Sequence, residues 1–454
     1  MNFIFKNKRK KIAFIVLLMA ILAFTPEQIE QYEFPVYRVV IDPGHGGVFL
    51  KNKEKHGDKF DLVTGKYIDY FAEGASLHGN FERDIVFSIG TKVMRLMDMC
   101  APEGDFEAFR KILSKYTDRN VPRIYIDTMI SRDDSVPFES AAKEEDPNAP
   151  YRLYDYPDAG GEMQKGRISK INGFRPHLVV SLHLAKSAPP DYKGLNGIIV
   201  PPYNVLKEGF VNLRRGGKGR IKDYGILKSW FKHSVKVPYR LAYFRDCAQY
   251  FTGYSLKKNY STDYREYKGY KYNMVSWIYR DPPGWHIAAR EHKADTQYSD
   301  DYMTYREEGP FREREKSVYE TYRRGESFKN FGGDNYFATY EIIKFVLQSL
   351  DHRGVNGRDK IPGKPFISTW SVPLLVNAVS AYIELGYLNR KWDRDVLLHR
   401  QDEIAEGVAA GIYSLLAGMG DIKGDFRHKP SGTRIDFDKY KTRDDRTYFD
   451  IVVD

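Results

Sequence analysis

Two histidines and one glutamate stand where apolar segments begin or end. His45 lies in the glycine-rich loop after a β-branched run, Glu82 opens a helical pattern, and His183 follows the apolar run 178–182. Two neutral imidazoles and one carboxylate suit a catalytic zinc ion, because they leave a fourth position open for water. Each residue also has an ordinary interpretation, as a hydrogen-bonded histidine or as a carboxylate favoured by a helix dipole. The set therefore predicts a hydrolytic metal centre only if the fold brings its members together.

Metal-assisted hydrolysis also needs a base that is not a ligand, and Glu384, at the end of the last predicted strand, is the candidate. A local His-Glu-x-x-His helix is absent from the sequence. His286 and His292, which flank Glu291, are six residues apart, so they would not share one face of a helix. We therefore do not take this second histidine group as a metal site.

The composition narrows the classes of protein that the chain can belong to. With only two cysteines, Cys100 and Cys247, the chain cannot be a disulfide scaffold, an iron–sulfur protein or a cysteine-ligated zinc ribbon. Whether the two are bonded to each other stays open. The net charge of +10 points to an anionic partner or anionic surroundings, but on 454 residues it is no signature of nucleic-acid binding.

The elements that must position these residues alternate between two periodicities. Strand-like apolar runs are interspersed with segments whose apolar residues recur at helical spacing. This alternation predicts an α/β fold with a single mixed or parallel twisted sheet flanked by helices and carrying large insertions. Strands are predicted at 37–42, 123–130, 178–182, 197–200, 372–376 and 380–384, and helices at 83–99, 163–174, 336–350 and 393–416.

The chain divides into four parts by composition. Residues 1–29 hold a basic cluster followed by an apolar run from Ile12 to Phe24, which is short for a membrane span of about 20 residues and fits a secretory signal peptide or an N-terminal anchor. Residues 35–202 and 336–420 carry the α/β pattern. Residues 203–335 form a Tyr/Arg-rich insertion, and 421–454 a charged C-terminal tail that we expect to be peripheral. The first part predicts an exported protein of the periplasm or cell envelope.

Five segments resemble, in order, the motifs of the zinc-dependent N-acetylmuramoyl-L-alanine amidases of the amidase-3 family. Together they span 36–202 and about 336–420. They are 39–47 (VVIDPGHGG), 79–85 (GNFERDI), 130–133 (ISRD), 167–172 (RISKIN) with 178–183 (LVVSLH), and 382–389 (YIELGYLN).

The resemblance implies a role for each residue. His45, Glu82 and His183 would bind one Zn²⁺ per chain, and Glu384 would act as general acid and base. Arg132, Arg167 and Asn172 would take part in substrate binding. The implied reaction is hydrolysis of the amide between N-acetylmuramic acid and L-alanine in peptidoglycan, in cell-wall remodelling and cell separation.

The chain departs from the family pattern at several points. Leu-Ala-Lys follows His183 where the family has an asparagine two residues on, and Asn389-Arg390 replaces a Ser-Asn pair. The loop after Gly47 is long, and there are insertions at about 101–122 with 134–160, and at 203–335. The last could block the cleft until a protein activator displaces it, or could serve as a substrate platform through its interleaved Tyr and Arg/Lys residues. It could also be a solvated loop with ordinary aromatic packing. None of these departures removes a predicted ligand.

Two other functions remain open on the sequence alone. A catalytically silent relative would bind peptidoglycan or scaffold other proteins, although it would not need to keep three ligands and a base. A zinc carboxypeptidase would use the same centre on a different bond of the stem peptide. The predicted binding partners are peptidoglycan and a protein activator, and no nucleic acid is expected. An N-terminal anchor would attach the chain to the membrane.

Overall fold

The structure is a computed structural model that describes most of the α/β part of the chain. The described residues are 33–51, 56–58, 60–61, 66–67, 70–132, 134, 146–187, 195–200, 331–354, 362–363, 365–367, 372–424 and 428–438, with the backbone of short strands at 264–267, 270–273, 303–304 and 316–317. The predicted signal or anchor at 1–29, Cys247 and nearly all of the 203–335 insertion lie outside them. Among the described helices, none is both long and apolar enough to span a membrane.

Within the described residues, six strands and six helices make up the principal layers. The strands are β1 (Val36–Pro43), β2 (Tyr125–Ile130), β3 (Leu178–Ala185), β4 (Asn196–Ile199), β5 (Phe366–Ile367) and β6 (Val379–Tyr387). The helices are α1 (Glu82–Asp98), α2 (Phe106–Leu113), α3 (Arg167–Phe174), α4 (Phe331–His352), α5 (Lys391–His399) and α6 (Gln401–Ala417). In the part of the chain that the structure describes, 3₁₀ turns lie at Ala149–Tyr151 and Val372–Leu374. Paired two-residue strands occur at Phe60–Asp61 with Lys66–Tyr67, Ser76–Leu77 with Asn80–Phe81, and Tyr156–Pro157 with Met163–Gln164. The four short strands between 264 and 317 form two further hairpin pairs, Tyr264–Tyr267 with Tyr270–Asn273 and Met303–Thr304 with Lys316–Ser317.

The six strands form one mixed sheet in the order β5-β4-β6-β3-β1-β2. β3 lies between β1 and β6 and runs parallel to both, whereas β4 is antiparallel to β6. The predicted α/β class with a mixed sheet and flanking helices is therefore confirmed. The carboxyl ends of β1, β3 and β6 meet at one edge, which is where function concentrates in sheets of this kind.

The apolar patterns explain how the layers pack. β3 is buried along nearly its whole length, as a continuous apolar run in a central strand should be. α1 buries Ile85, Ile89 and Val93 along one stripe, at helical spacing. α1 packs on β3, β2 and α6, and α4 packs on α6, β6 and β4, so these three helices share one core with the sheet.

Several predicted elements are corrected. The strand expected at 372–376 is a 3₁₀ turn, because Pro373 offers no N–H to a ladder. The long helix expected over 393–416 is two helices that meet at Arg400, whose φ of −130° is not helical. The helix expected from 163 begins at Arg167, since 163–164 pair as a strand. The expected insertion at 101–122 contains α2, which buries Phe106, Phe109 and Leu113.

The C-terminal segment also differs from the expectation of a peripheral tail. Ile422 and Ile435 are buried in the main core. The carboxylate of Glu341, buried in α4, accepts hydrogen bonds from the backbone N–H groups of Ser431 and Gly432 at 2.5 and 2.8 Å. The described part of this segment, up to Asp438, is thus packed onto the sheet domain.

Candidate metal centre

The loop after β1 carries His45 in an unusual backbone conformation. His45 has a φ of 57°, in the left-handed region, and is followed by two glycines that also have positive φ. Its Nδ1 lies 2.9 Å from the carbonyl oxygen of Ala72, which accepts a hydrogen bond from it. This contact fixes the tautomer, so Nε2 is left with a lone pair directed away from Ala72. His45 is thereby prepared to bind a metal through Nε2.

Two glycines allow the predicted ligands to approach one another. A Cβ atom on Gly44 would lie 2.1 Å from Cε1 of His183, which is far inside van der Waals contact. Gly74 has a φ of +94°, and a Cβ there would lie 2.7 Å from Cβ of His45 and 2.9 Å from Oε2 of Glu82. Only the absence of side chains at these two positions lets the two histidines and the glutamate come together.

Glu82 is the first residue of α1 and is 2% exposed. Oε1 accepts a hydrogen bond from the backbone N–H of Leu184 at 3.0 Å, and Oε2 one from Ala75 at 2.7 Å. Burial alone would raise the pKa of this carboxyl, but His45, His183 and the N–H of Ala75 outweigh burial and lower it to about 2. Glu82 is therefore held as a carboxylate, the form that binds a metal.

His183 lies on β3 with its ring buried among the other members of the set. Its Nδ1 is 3.1 Å from Oε1 of Glu82, and its ring centroid is 4.9 Å from that of His45 at an interplanar angle of 88°. Nε2 is buried and has no hydrogen-bond partner among the described residues. Burial lowers the pKa of His183, so the imidazole is neutral, as metal binding requires.

The geometry of the three residues fits a zinc ion. One ligand atom from each lies within 4.8 Å of the other two. Nε2 of His45 and Nδ1 of His183 are 3.9 and 3.1 Å from Oε1 of Glu82. Tetrahedral zinc with bonds of about 2.0–2.2 Å needs ligand atoms roughly 3.3–3.6 Å apart, and the two distances bracket this range.

Glu384 lies beside this cluster but is not a member of it. On the adjacent parallel strand it is the register partner of His183. The side chain is partly exposed, whereas Oε2 is buried and has no hydrogen-bond partner among the described residues. Burial, together with the charge of Glu82, raises its pKa to about 8. A carboxyl with this pKa can both take up and release a proton near neutral pH.

A buried polar layer supports the metal centre from within the sheet. Asp42 is fully buried and accepts hydrogen bonds from Ser131 at 2.5 Å, Ser181 at 2.9 Å and Arg167 at 3.1 Å. Arg167 also donates to the carbonyl of Pro43 at 2.7 Å. The layer thus ties β1, β3 and α3 together immediately before the loop that carries His45.

Arg132 braces the same loop from the other side. The side chain is 1% exposed, and its guanidinium donates to the carbonyl oxygens of Gly44 and His45 at 3.0 and 2.9 Å. It also donates to the carbonyl of Arg83 at 2.5 Å and binds Asp134 through two hydrogen bonds of 2.8 and 2.7 Å. All three nitrogens are engaged, so Arg132 fixes the backbone on either side of the predicted ligands.

Asn172 has a similar structural position. It donates to the carbonyl of Leu375 at 3.0 Å and accepts from the N–H of Asn377 at 2.8 Å, which holds the segment that leads into β6. The side chains of Arg132, Arg167 and Asn172 are all buried, and their hydrogen bonds hold backbone segments around the site. The described contacts thus make them positioning residues, and substrate binding by them stays a prediction.

Two further residues of the site were missed in the sequence. Asp42 lies near the end of β1, two residues before Gly44, and Tyr382 lies two residues before Glu384 on β6, where a strand places both side chains on one face. The Tyr382 ring lies 4.4 Å, centroid to centroid, from that of His183 at 69°. Burial, and then the charge of Glu384, raise the pKa of Tyr382 well above its ordinary value. Period-two alternation along 39–44 and 380–384 was the signal available for both.

Comparison with known proteins gives similar structures but no related sequence. No family model matches the chain, and no curated protein matches it. Similar solved structures include the N-acetylmuramyl-L-alanine amidase Ami1 from Mycobacterium smegmatis, which is 11% identical and has a TM-score of 0.32 over 83% of this chain and 94% of that one. The N-acetylmuramoyl-L-alanine amidase from Clostridium difficile 630 is 13% identical, with a TM-score of 0.28 over 84% and 96% of the two chains. These TM-scores are too low to establish a common fold, so the functional interpretation has to come from the site.

Proposed function

We propose that this chain is a zinc-dependent hydrolase that cleaves the amide between N-acetylmuramic acid and L-alanine in peptidoglycan. The observation that carries the proposal is the position of Glu384, a partly exposed carboxyl of raised pKa, next to the cluster of His45, Glu82 and His183. Two neutral imidazoles, one carboxylate and a separate carboxyl base are the groups that metal-assisted amide hydrolysis requires. The choice of this amide bond rests on the resemblance of the five sequence segments to the amidase-3 motifs.

His45, Glu82 and His183 would hold the zinc ion. Zinc bound there would act as a Lewis acid that polarises an acyl oxygen and acidifies water. Oε1 of Glu82 and Nε2 of His45 keep their direction because Leu184 and Ala72 hold the two side chains.

Glu384 supplies the proton transfers. As a carboxylate it takes a proton from the attacking water, and as a carboxylic acid it returns that proton to the amine nitrogen of the departing alanine. Without zinc, the pKa of Glu384 is about 8. A zinc ion bound nearby would lower this pKa, because a positive charge favours the carboxylate form. The base would then be ionised in the loaded enzyme at neutral pH.

The proposed substrate and the N-terminal sequence both indicate a location outside the cytoplasm. Peptidoglycan lies outside the cytoplasmic membrane, and the basic and apolar segment in 1–29 has the character of an export signal or anchor. We therefore place the protein in the periplasm or cell envelope. For residues 203–335 the sequence leaves three roles open: a block that a protein activator displaces, a platform for the substrate, and an ordinary solvated loop.

Purified protein, loaded with zinc and mixed with purified sacculi, tests the proposal. We expect one zinc ion per chain and the release of stem peptides with a free N-terminal L-alanine, while Glu384→Gln keeps the zinc and releases none. Loss of a C-terminal residue from the stem peptide would mean a carboxypeptidase. Zinc-loaded protein that binds sacculi but releases no product would mean a catalytically silent binder.

A further inference from the structure

Tyr382 shares with Glu384 a property that the rest of β6 lacks. Of the nine residues of this strand, only Tyr382 and Glu384 are partly exposed, and the other seven are buried. The two are separated by one residue, so both side chains leave the same face of the sheet. β6 is an internal strand with neighbours on both sides, so its two partly exposed side chains are accessible from a face of the sheet and not from an edge.

The ring of Tyr382 reaches the predicted metal ligands. It meets the ring of His183 at 4.4 Å between centroids and 69° between planes, in edge-to-face contact. The register partner of Tyr382 is Ser181, whose hydroxyl donates to Asp42, and the register partner of Glu384 is His183. Tyr382 thus stands at the junction between the buried polar layer and the metal centre.

The hydroxyl of Tyr382 is available for a ligand. It has no hydrogen-bond partner among the described residues, although other tyrosines of the same region have one: Tyr387 donates to Asn196 at 2.6 Å and Tyr340 to the carbonyl of Gly363 at 2.9 Å. A phenol is a hydrogen-bond donor at neutral pH, whereas an ionised carboxylate only accepts. Tyr382 and Glu384 therefore present one donor and one acceptor on the same face, at positions about 7 Å apart along the strand.

We propose that Tyr382 is a catalytic residue of this site, whose hydroxyl donates a hydrogen bond to the acyl oxygen of the amide under attack. The inference rests on the proposed function and deepens it. Water adds to the acyl carbon and gives its proton to Glu384, the carbon–nitrogen bond breaks, and the nitrogen departs with that proton. Negative charge grows on the acyl oxygen during the addition, and a fixed donor stabilises it. The hydroxyl of Tyr382 keeps its own proton throughout.

The test compares Tyr382→Phe with wild type in the zinc-loaded full chain. We expect kcat on sacculi to fall about 10²–10³-fold, as when one donor to a developing oxyanion is removed, with KM within a few-fold of wild type. Zinc content and melting temperature should not change, because the ring that packs against His183 remains. A phosphinate analogue, in which a charged phosphorus–oxygen group replaces the acyl carbon, should bind about 10–100-fold more weakly by calorimetry.

Tyr387→Phe is the matched control, since it removes a tyrosine hydroxyl from the same strand. That hydroxyl bonds Asn196 in the interior, so we expect a lower melting temperature and an unchanged kcat. If the wild type is active and Tyr382→Phe keeps its kcat and its phosphinate affinity, this inference alone is overturned. Loss of zinc from Tyr382→Phe would also overturn it. A wild type that neither cleaves sacculi nor binds the phosphinate would overturn the proposed function together with this inference.

Discussion

Glu384 and His183 are register partners on adjacent parallel strands at the centre of the sheet. Neighbouring strands lie about 4.8 Å apart, so the backbone hydrogen bonds of β3 and β6 set the separation of the proposed base from a predicted ligand. Catalytic groups on regular elements are held more precisely than groups on loops. His45 lies on a loop and is therefore the less rigid member of the site. Hydrogen bonds with Arg132 and Ala72, and close contact with Gly74, hold it in place.

Variants of the ligands and of the base should separate zinc binding from turnover. We expect His45→Ala and His183→Ala to abolish zinc binding, because either change removes one of three ligands. Glu384→Ala should keep the zinc ion and lose about 10²–10⁴-fold in kcat, the usual contribution of a general acid–base group. Metal analysis of the dialysed proteins and a sacculus assay measure the two effects. A Glu384→Ala enzyme of wild-type activity would contradict the assignment of the base.

Gly44→Ala tests the close approach between the loop and His183. The new methyl group would lie 2.1 Å from the imidazole, so the ring or the loop must move. We expect zinc affinity to fall by at least the roughly 10–100-fold seen when outer-shell contacts are lost. Gly173→Ala is the control, since a Cβ at that position of α3 would have no atom within 4 Å. Equal zinc affinities for the two variants would show that the contact is unimportant.

Arg132→Lys tests whether the guanidinium organises the loop of His45. A lysine keeps the charge but cannot reach three carbonyl groups and Asp134 at once. We expect a loss of about 2–3 kcal/mol in the free energy of unfolding, since buried polar groups lose their partner. Zinc affinity should fall roughly 10–100-fold. Chemical denaturation measures the change in stability, and zinc titration measures the change in affinity. A variant with wild-type zinc affinity would show that Arg132 contributes only to stability.

The raised pKa of Glu384 predicts how stability depends on pH without zinc. Its carboxyl titrates near 8 in the folded chain and near 4.3 when unfolded, so the folded state holds the proton more tightly. The stability associated with the neutral carboxyl is complete below about pH 4 and is lost as pH rises through 8. We expect the urea midpoint of the zinc-free wild type to fall between pH 5 and 9 more steeply than that of Glu384→Gln. Parallel curves for the two proteins would contradict the raised pKa.

Much of the fold could be predicted from the sequence because the apolar patterns are local. The strands around 37–42 and 178–182 and the helix from 83 appear close to where their patterns predicted them. The wrongly predicted elements are those in which a helix or strand is interrupted locally, which the spacing of apolar residues does not show. Examples are the turn at Pro373 and the interruption between α5 and α6 at Arg400.

The site could be predicted less completely. His45, Glu82 and His183 were predicted through the motifs, but their distances depend on which strands are neighbours, and periodicity does not reveal strand order. The positioning contacts of Arg132 could not be predicted, because a sequence shows a charge and not its burial, and its predicted part in substrate binding stays a prediction. Ile435 looked peripheral because charged residues surround it, although Ile422, Ile435 and the hydrogen bonds to Glu341 hold the segment on the core.

Mass spectrometry of sacculi digested by the zinc-loaded wild-type protein tests the proposed amidase activity most directly. We expect glycan strands with bare lactyl groups and free stem peptides that begin with L-alanine, and no such products when Glu384→Gln replaces the wild type. Stem peptides that stay attached to the glycan after digestion by zinc-loaded protein would contradict the proposed activity.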